Sequence, residues 1–172
     1  LNFMKNMKEI TMIYKYVILL ICFICISSCA LAKEHDTDTN NYNCLVEAIY
    51  FEARSEDKIG QLAVANVIMN RVHDRRFPNT ICGVVHDGIY WNNHIVRDKC
   101  AFSYYCDGKN ESMFNLEILA QVIEIADMAL QGVMLENLVT ATHYHASYVY
   151  PDWAYELQYI GQLGNHMFYN LK

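Results

Sequence analysis

Basic residues are scarce. Lysine and arginine number 13 against 19 aspartates and glutamates, a formal net charge of −6, and a chain of that sign repels the phosphates whose neutralisation drives nucleic-acid binding. DNA and RNA are thereby excluded as partners. No internal repeat or low-complexity tract occurs, which excludes a repeat array. The longest apolar run, Tyr16 to Ile26, is shorter than the roughly 20 residues of a membrane-spanning helix. From residue 33 onward there is no Cys-x-x-Cys pair, so the commonest zinc spacing is missing.

What is present at the start reads as an address. Lys5, Lys8 and Lys15 precede the apolar run, and Ser27, Ser28, Cys29, Ala30, Leu31 and Ala32 follow it, the layout of a secretory signal. The reading predicts a signal over 1–32 and export to the periplasm or cell envelope. Two processing sites compete: Ala30-Leu31-Ala32 is a small-x-small site before Lys33, and Ile26-Ser27-Ser28-Cys29 is a bacterial lipobox that leaves Cys29 acylated. An uncleaved anchor is the third option. Residue 1 is leucine, and Met4, Met7 and Met12 are candidate starts. About 140 residues remain after processing, enough for one domain that buries about 70% of its unfolded surface, and a monomer is expected.

Of seven cysteines, Cys22, Cys25 and Cys29 fall in the signal, leaving Cys44, Cys82, Cys100 and Cys106. An even number in an oxidising compartment predicts two disulfides, with three pairings open. No cofactor is implied.

Residues 33–43 are polar and read as a flexible leader, with Asn43 as the cap of a first helix from Cys44 to about Arg54. Leu45, Ala48, Ile49 and Glu52 share one face of it. Ser55 or Asp57 caps a second helix, 58–74, in which Leu62, Ala65, Ile68, Met69 and Val72 are joined by Ala63, Val64 and Val67 on the other side, the mark of a central helix. From 75 to 110 periodicity fades, and such a long connection is functional or pinned by crosslinks. Ser112 or Asn115 opens a third helix with an apolar stripe of Leu119, Val122, Ile123, Ala126, Ala129 and Leu130, stopped by Gly132. Beyond Glu136 the pattern predicts a strand over 140–145, a turn near Pro151, a short helix over 153–159, and a hairpin about Gly164.

Glu52 closes an apolar helical run. A carboxyl group against apolar walls keeps its proton to higher pH than one in water, and such an acid suits cleavage of a glycosidic bond. A glutamate at a helix end is otherwise a solvated surface residue. His143 and His145 share one face of a strand, yet no third ligand has convincing spacing and no metal site is predicted.

Six blocks carry a resemblance: Ala48-Ile49-Tyr50-Phe51-Glu52-Ala53-Arg54, Gly60-Gln61 to Asn70-Arg71-Val72, Phe77-Pro78-Asn79-Thr80-Ile81-Cys82-Gly83-Val84-Val85, Cys100-Ala101-Phe102-Ser103, Thr142-His143-Tyr144-His145-Ala146 and Gly164-Asn165-His166-Met167-Phe168-Tyr169. In this order they resemble the SleB-type cell wall hydrolases, a family first associated with spore cortex lysis. The likeness spans about residues 44–169 of a catalytic domain set at 44–172. It implies an α+β, lysozyme-like fold, mainly helical with a small antiparallel sheet formed by the C-terminal third. It further implies peptidoglycan glycan strands as substrate and, by motif match, Glu52 as catalyst. Ser55 departs from the family, which has glycine there; serine adopts a left-handed turn less readily, so the placement of Glu56 is affected.

Under that resemblance Glu52 acts as acid and then base in a lytic transglycosylase that breaks the MurNAc-GlcNAc bond. A muramidase hydrolase needs a second carboxylate, for which Glu56 is nearest, although an acidic residue there also suits the start of the second helix. Tyr144, Asn165, His166 and Glu56 are the substrate-binding candidates. Arg54 is expected in an ion pair, and Trp91, Tyr104, Tyr105 and Trp153 either stack on sugars or fill the core. An N-acetylmuramoyl-L-alanine amidase and a non-catalytic secreted wall-binding domain are the competing readings.

Overall fold

The computed structural model describes residues 38–171, and the chain divides into two units, Leu1–Thr39 and Asn40–Lys172. The signal over 1–32, the Cys29 site and residues 33–37 lie outside the described residues. Asp38 and Thr39 are helical. All that follows concerns the second unit.

Helix α1 occupies residues 40–53 of that unit, so Asn43 lies inside the helix and does not cap it. The leader expected over 33–43 is corrected for residues 38–43. Their polar composition hid two partners: the Asn41 side chain accepts from the Cys82 backbone N–H at 3.1 Å, and Tyr42 packs against the core.

Helix α2 (Lys58–His73) starts at Asp57, whose side chain accepts from the Gly60 N–H at 2.8 Å, satisfying one of the donors a helix start leaves free. Ala63, Val64, Ala65, Val67 and Ile68 are fully buried, which makes α2 the central helix expected. Its polar residues do the directing. Asn66 bonds the Val133 carbonyl and the Leu135 N–H. Asn70 donates to the carbonyls of Leu138 and Ala141, and Arg71 Nε donates to the Thr142 carbonyl at 2.7 Å. One helix therefore lays the 133–142 connection along itself and delivers it into the sheet.

Helix α3 (Ile81–Val85), capped by Thr80, is tied to α1 by the Cys44–Cys82 disulfide. A hairpin that the sequence reading left as loop follows, β1 (Gly88–Trp91) and β2 (His94–Cys100). Its two connecting residues, Asn92 and Asn93, have φ of 48° and 63°, as a tight two-residue hairpin turn demands and asparagine tolerates. A 3-10 turn, Ser103–Cys106, is closed onto β2 by the second disulfide, Cys100–Cys106.

Helix α4 (Leu116–Leu130) is capped by Asn115 and buries Val122, Ile125, Ala126 and Ala129. Ile123 and Leu130, expected in that stripe, are exposed; the buried face turns about Ile125 instead. Gly132, at φ +85°, ends the helical course. The C-terminal third supplies β3 (His143–Ala146), β4 (Gln158–Leu163) and β5 (His166–Asn170), antiparallel in the order β3-β5-β4. The expected helix over 153–159 shortens to a 3-10 turn, Asp152–Tyr155. The α+β architecture with its small C-terminal sheet is as expected, and the β1–β2 hairpin is added to it.

Candidate active site

Glu52 lies in the last turn of α1, beside the fully buried Ala48, Ile49 and Ala53. Tyr144, on β3, donates its hydroxyl to Glu52 Oε2 at 3.0 Å. Burial raises the Glu52 carboxyl above its ordinary pKa; the Tyr144 bond, the Arg71 charge and a backbone bond from Tyr104 pull the other way without cancelling it. Desolvation wins because it penalises the charged form directly. Tyr144 is itself pushed well above the ordinary phenol range by burial and by Glu52, so it remains a donor.

Arg71 is 8% exposed. Its guanidinium lies between the rings of Phe77 and Phe102, 5.2 and 5.3 Å from their centres, an arrangement that favours a planar cation. Glu52, Arg71, Tyr144, Tyr104 and His166 meet at a cavity of about 520 Å³, whose remaining wall includes Ser103, Asp107, Lys109, Asn110, Glu111 and Tyr148. That volume falls in the usual range for small-ligand sites.

His166 is buried, packs edge-on against Tyr144 at 5.0 Å, and its Nδ1 has no partner among the described residues. Burial lowers its pKa, leaving a neutral imidazole on the cavity wall. The Tyr104 hydroxyl is likewise buried without a partner among the described residues. Tyr104 stacks on Phe51 at 5.0 Å and rides on the turn that Cys100–Cys106 braces. Cys100 itself reaches the cavity.

Glu52, Tyr144 and His166 are thus brought together. Glu56 and Asn165 are not. Glu56 accepts from the Asn165 backbone N–H at 3.1 Å and from its Nδ2 at 2.9 Å, and the Asn165 carbonyl accepts from Ser147 at 2.7 Å. Their polar atoms are committed to locking the β4–β5 turn onto the α1–α2 connection, and neither lines the cavity. At Gly164, φ +54°, a side chain would be strained and would meet the Glu56 carboxylate, so glycine is favoured there. Ser55 is not among the residues with positive φ; the loop closes without the left-handed turn that the family's glycine suggested.

Arg54, expected in an ion pair with Glu56 or an acidic loop residue, instead lines the cavity with its guanidinium 6.0 Å from the Phe51 ring centre. His143 bonds the Thr142 hydroxyl, while His145 bonds the Ala146 carbonyl and the Tyr169 hydroxyl. Trp153 packs against both histidines and Tyr169, and Tyr105 stacks on His86; neither ring reaches the cavity. Trp91 is exposed on the hairpin. Asp107, Glu111 and the role of Arg71 escaped the sequence reading. Arg71 stood in a quoted block, but nothing local showed that its helix would carry it to Glu52.

A carboxylic acid largely withdrawn from water opens here onto a polar cleft between helices and a small sheet, and the comparisons assign the family. The family model described as cell wall hydrolase matches residues 55–169, and the chain belongs to that family. Glu52 lies just ahead of the matched range. The chain is 29% identical over 134 residues to the spore cortex-lytic enzyme of Bacillus subtilis, which covers 75% of this chain and 37% of that enzyme. It is 27% identical over 138 residues to the same enzyme of Halalkalibacterium halodurans, at 76% and 35% coverage. It therefore spans about a third of the length of these relatives. The catalytic domain of the Bacillus cereus SleB protein superposes with a TM-score of 0.54 at 26% identity, covering 77% of this chain and 91% of that domain. The catalytic domain of the germination-specific lytic transglycosylase SleB from Bacillus anthracis gives 0.55 and 26%, with 76% and 94% covered.

Proposed function

We propose that this chain cleaves the MurNAc-GlcNAc bond of peptidoglycan as a lytic transglycosylase, outside the cytoplasm, with residues 40–172 as its catalytic unit. The observation that carries the reading is Glu52: a carboxyl group whose burial favours its protonated form, open to a cleft, with a phenol poised on one oxygen. Glu52 gives its proton to the bridging oxygen as the bond to the anomeric carbon breaks. The carboxylate so formed is steadied by the Tyr144 hydroxyl and the Arg71 cation, groups already in place before the charge develops. It then takes the proton of the muramic 6-hydroxyl, whose oxygen bonds to the anomeric carbon and leaves a 1,6-anhydro end. No water is consumed, and one carboxylate serves both steps.

One observation favours a second reading. Asp107 and Glu111 line the same cavity, and Asp107 is held in its anionic form by Lys109, 2.9 Å away. A second carboxylate in the acid's cleft is what a hydrolase uses to direct water. Digestion of isolated peptidoglycan followed by mass spectrometry separates the two: anhydro-muropeptides support the transglycosylase, and reducing ends replace it with the muramidase. Freed stem peptides would mean an amidase, and an undigested wall a binding domain.

A further inference from the structure

A cavity of about 520 Å³ holds a few sugar rings, whereas a glycan strand is a polymer; the rest of it must leave across the rim. Tyr148 stands on that rim, lining the cavity while 85% exposed. Beyond it the aromatic surface continues. His145, a cavity residue, packs against the Tyr150 ring at 5.5 Å, and Tyr150 lies 5.9 Å from Tyr155. Tyr150 is 61% and Tyr155 77% exposed.

Core packing does not account for these rings. The apolar interior beneath them is made by Trp153 and Tyr169, which pack against each other at 5.7 Å; Tyr148 and Tyr155 add little to it at their exposures. Nor does charge point to another ligand. Between Ala146 and Leu163 there are two carboxylates, Asp152 and Glu156, and no lysine or arginine, so this segment itself supplies no cation for a phosphate or an anionic lipid. Flat apolar faces with hydroxyl rims suit a sugar ring, which presents C–H groups on its face and hydroxyls at its edge.

We propose that Tyr148, Tyr150 and Tyr155 form a stacking surface that carries the glycan strand onward from the cavity. This rests on the peptidoglycan reading above. The test uses the chain with Glu52→Gln, so that the polymer is not consumed, and measures its cosedimentation with isolated peptidoglycan sacculi. Adding Tyr148→Ala and Tyr155→Ala is expected to weaken binding about tenfold, with the thermal midpoint unchanged. Equal binding by the folded variant overturns the proposal. Should that variant not fold, Tyr148→Ser alone is expected to weaken binding about threefold, and no change overturns the proposal equally. If sedimentation velocity shows that the substitutions abolish a dimer while sacculus binding persists, the surface serves a second copy and the proposal falls. Failure of the Glu52→Gln parent to bind sacculi overturns the peptidoglycan reading and this surface with it, whereas a bound parent and an equally bound variant remove the surface alone.

Discussion

The Tyr144 hydroxyl reaches Glu52 Oε2 at 3.0 Å from a position 92 residues along the chain. This bond favours the charged form of an acid that, in the proposed reaction, starts protonated and is charged halfway through. Tyr144→Phe therefore acts in two directions. The Glu52 pKa rises further, so the alkaline limb of kcat/KM moves to higher pH. The rate at the optimum falls about 10- to 100-fold, the worth of one hydrogen bond to a charged group. A pH-rate profile on isolated peptidoglycan checks both.

Glu52→Gln is expected to make the protein more stable at neutral pH while ending cleavage. In the parent the folded pKa lies above the unfolded value of about 4.3, so between the two the folded state binds more protons and stability falls as pH rises. Glutamine removes that dependence. Thermal melts at acid and neutral pH should show the gain above the window and little below it.

Arg71 is predicted to act on Glu52 by charge and on β3 by its bond to Thr142. Arg71→Lys keeps the cation and loses the Nε donor: the Glu52 titration stays close to the parent's while kcat drops. Arg71→Gln removes the cation and raises the Glu52 pKa. Carboxyl carbon NMR reads that titration directly. The groups facing Glu52 besides Arg71 are Tyr144 and the Tyr104 backbone, and both remain in these variants.

Glu56→Ala tests the lock. Losing two acceptors for Asn165 frees the β4–β5 turn and costs about 1–3 kcal/mol in urea unfolding. Cleavage per folded molecule is expected to stay within a few-fold of the parent. A loss as complete as that of Glu52→Gln in a folded protein would return Glu56 to the catalytic set.

His143 carries a separate acid signature. Burial, with Arg71 and Arg76 nearby, pushes its pKa down to about 4, below the unfolded value of about 6.5. Its neutral form supports the fold above that range, and stability is lost as pH falls from about 6.5 toward 4. His143→Gln should flatten acid-induced unfolding in that interval.

What could be read from sequence follows the range of the interactions. Glu52 was legible because helix periodicity put it on the buried face with Leu45, Ala48 and Ile49, all within three turns. For the same reason the caps were narrowed to two candidates each, Ser55 or Asp57 and Ser112 or Asn115, of which Asp57 and Asn115 serve. The β1–β2 hairpin was not, although Asn92-Asn93 is a local turn signal; the strands beside it are mostly exposed and lack a clear alternation. The bond between Glu56 and Asn165 was hidden because the two lie 109 residues apart. Arg71 was hidden likewise, since its partner is a backbone carbonyl on another element.

The side chains of Asn66, Asn70 and Arg71 hold the strip of backbone from Val133 to Thr142. A nascent chain ending before that strip would leave Asn66, fully enclosed in the finished fold, without its mates, an arrangement too costly to persist. The helix that carries Arg71 to Glu52 can therefore settle only once residues 133–142 have been made.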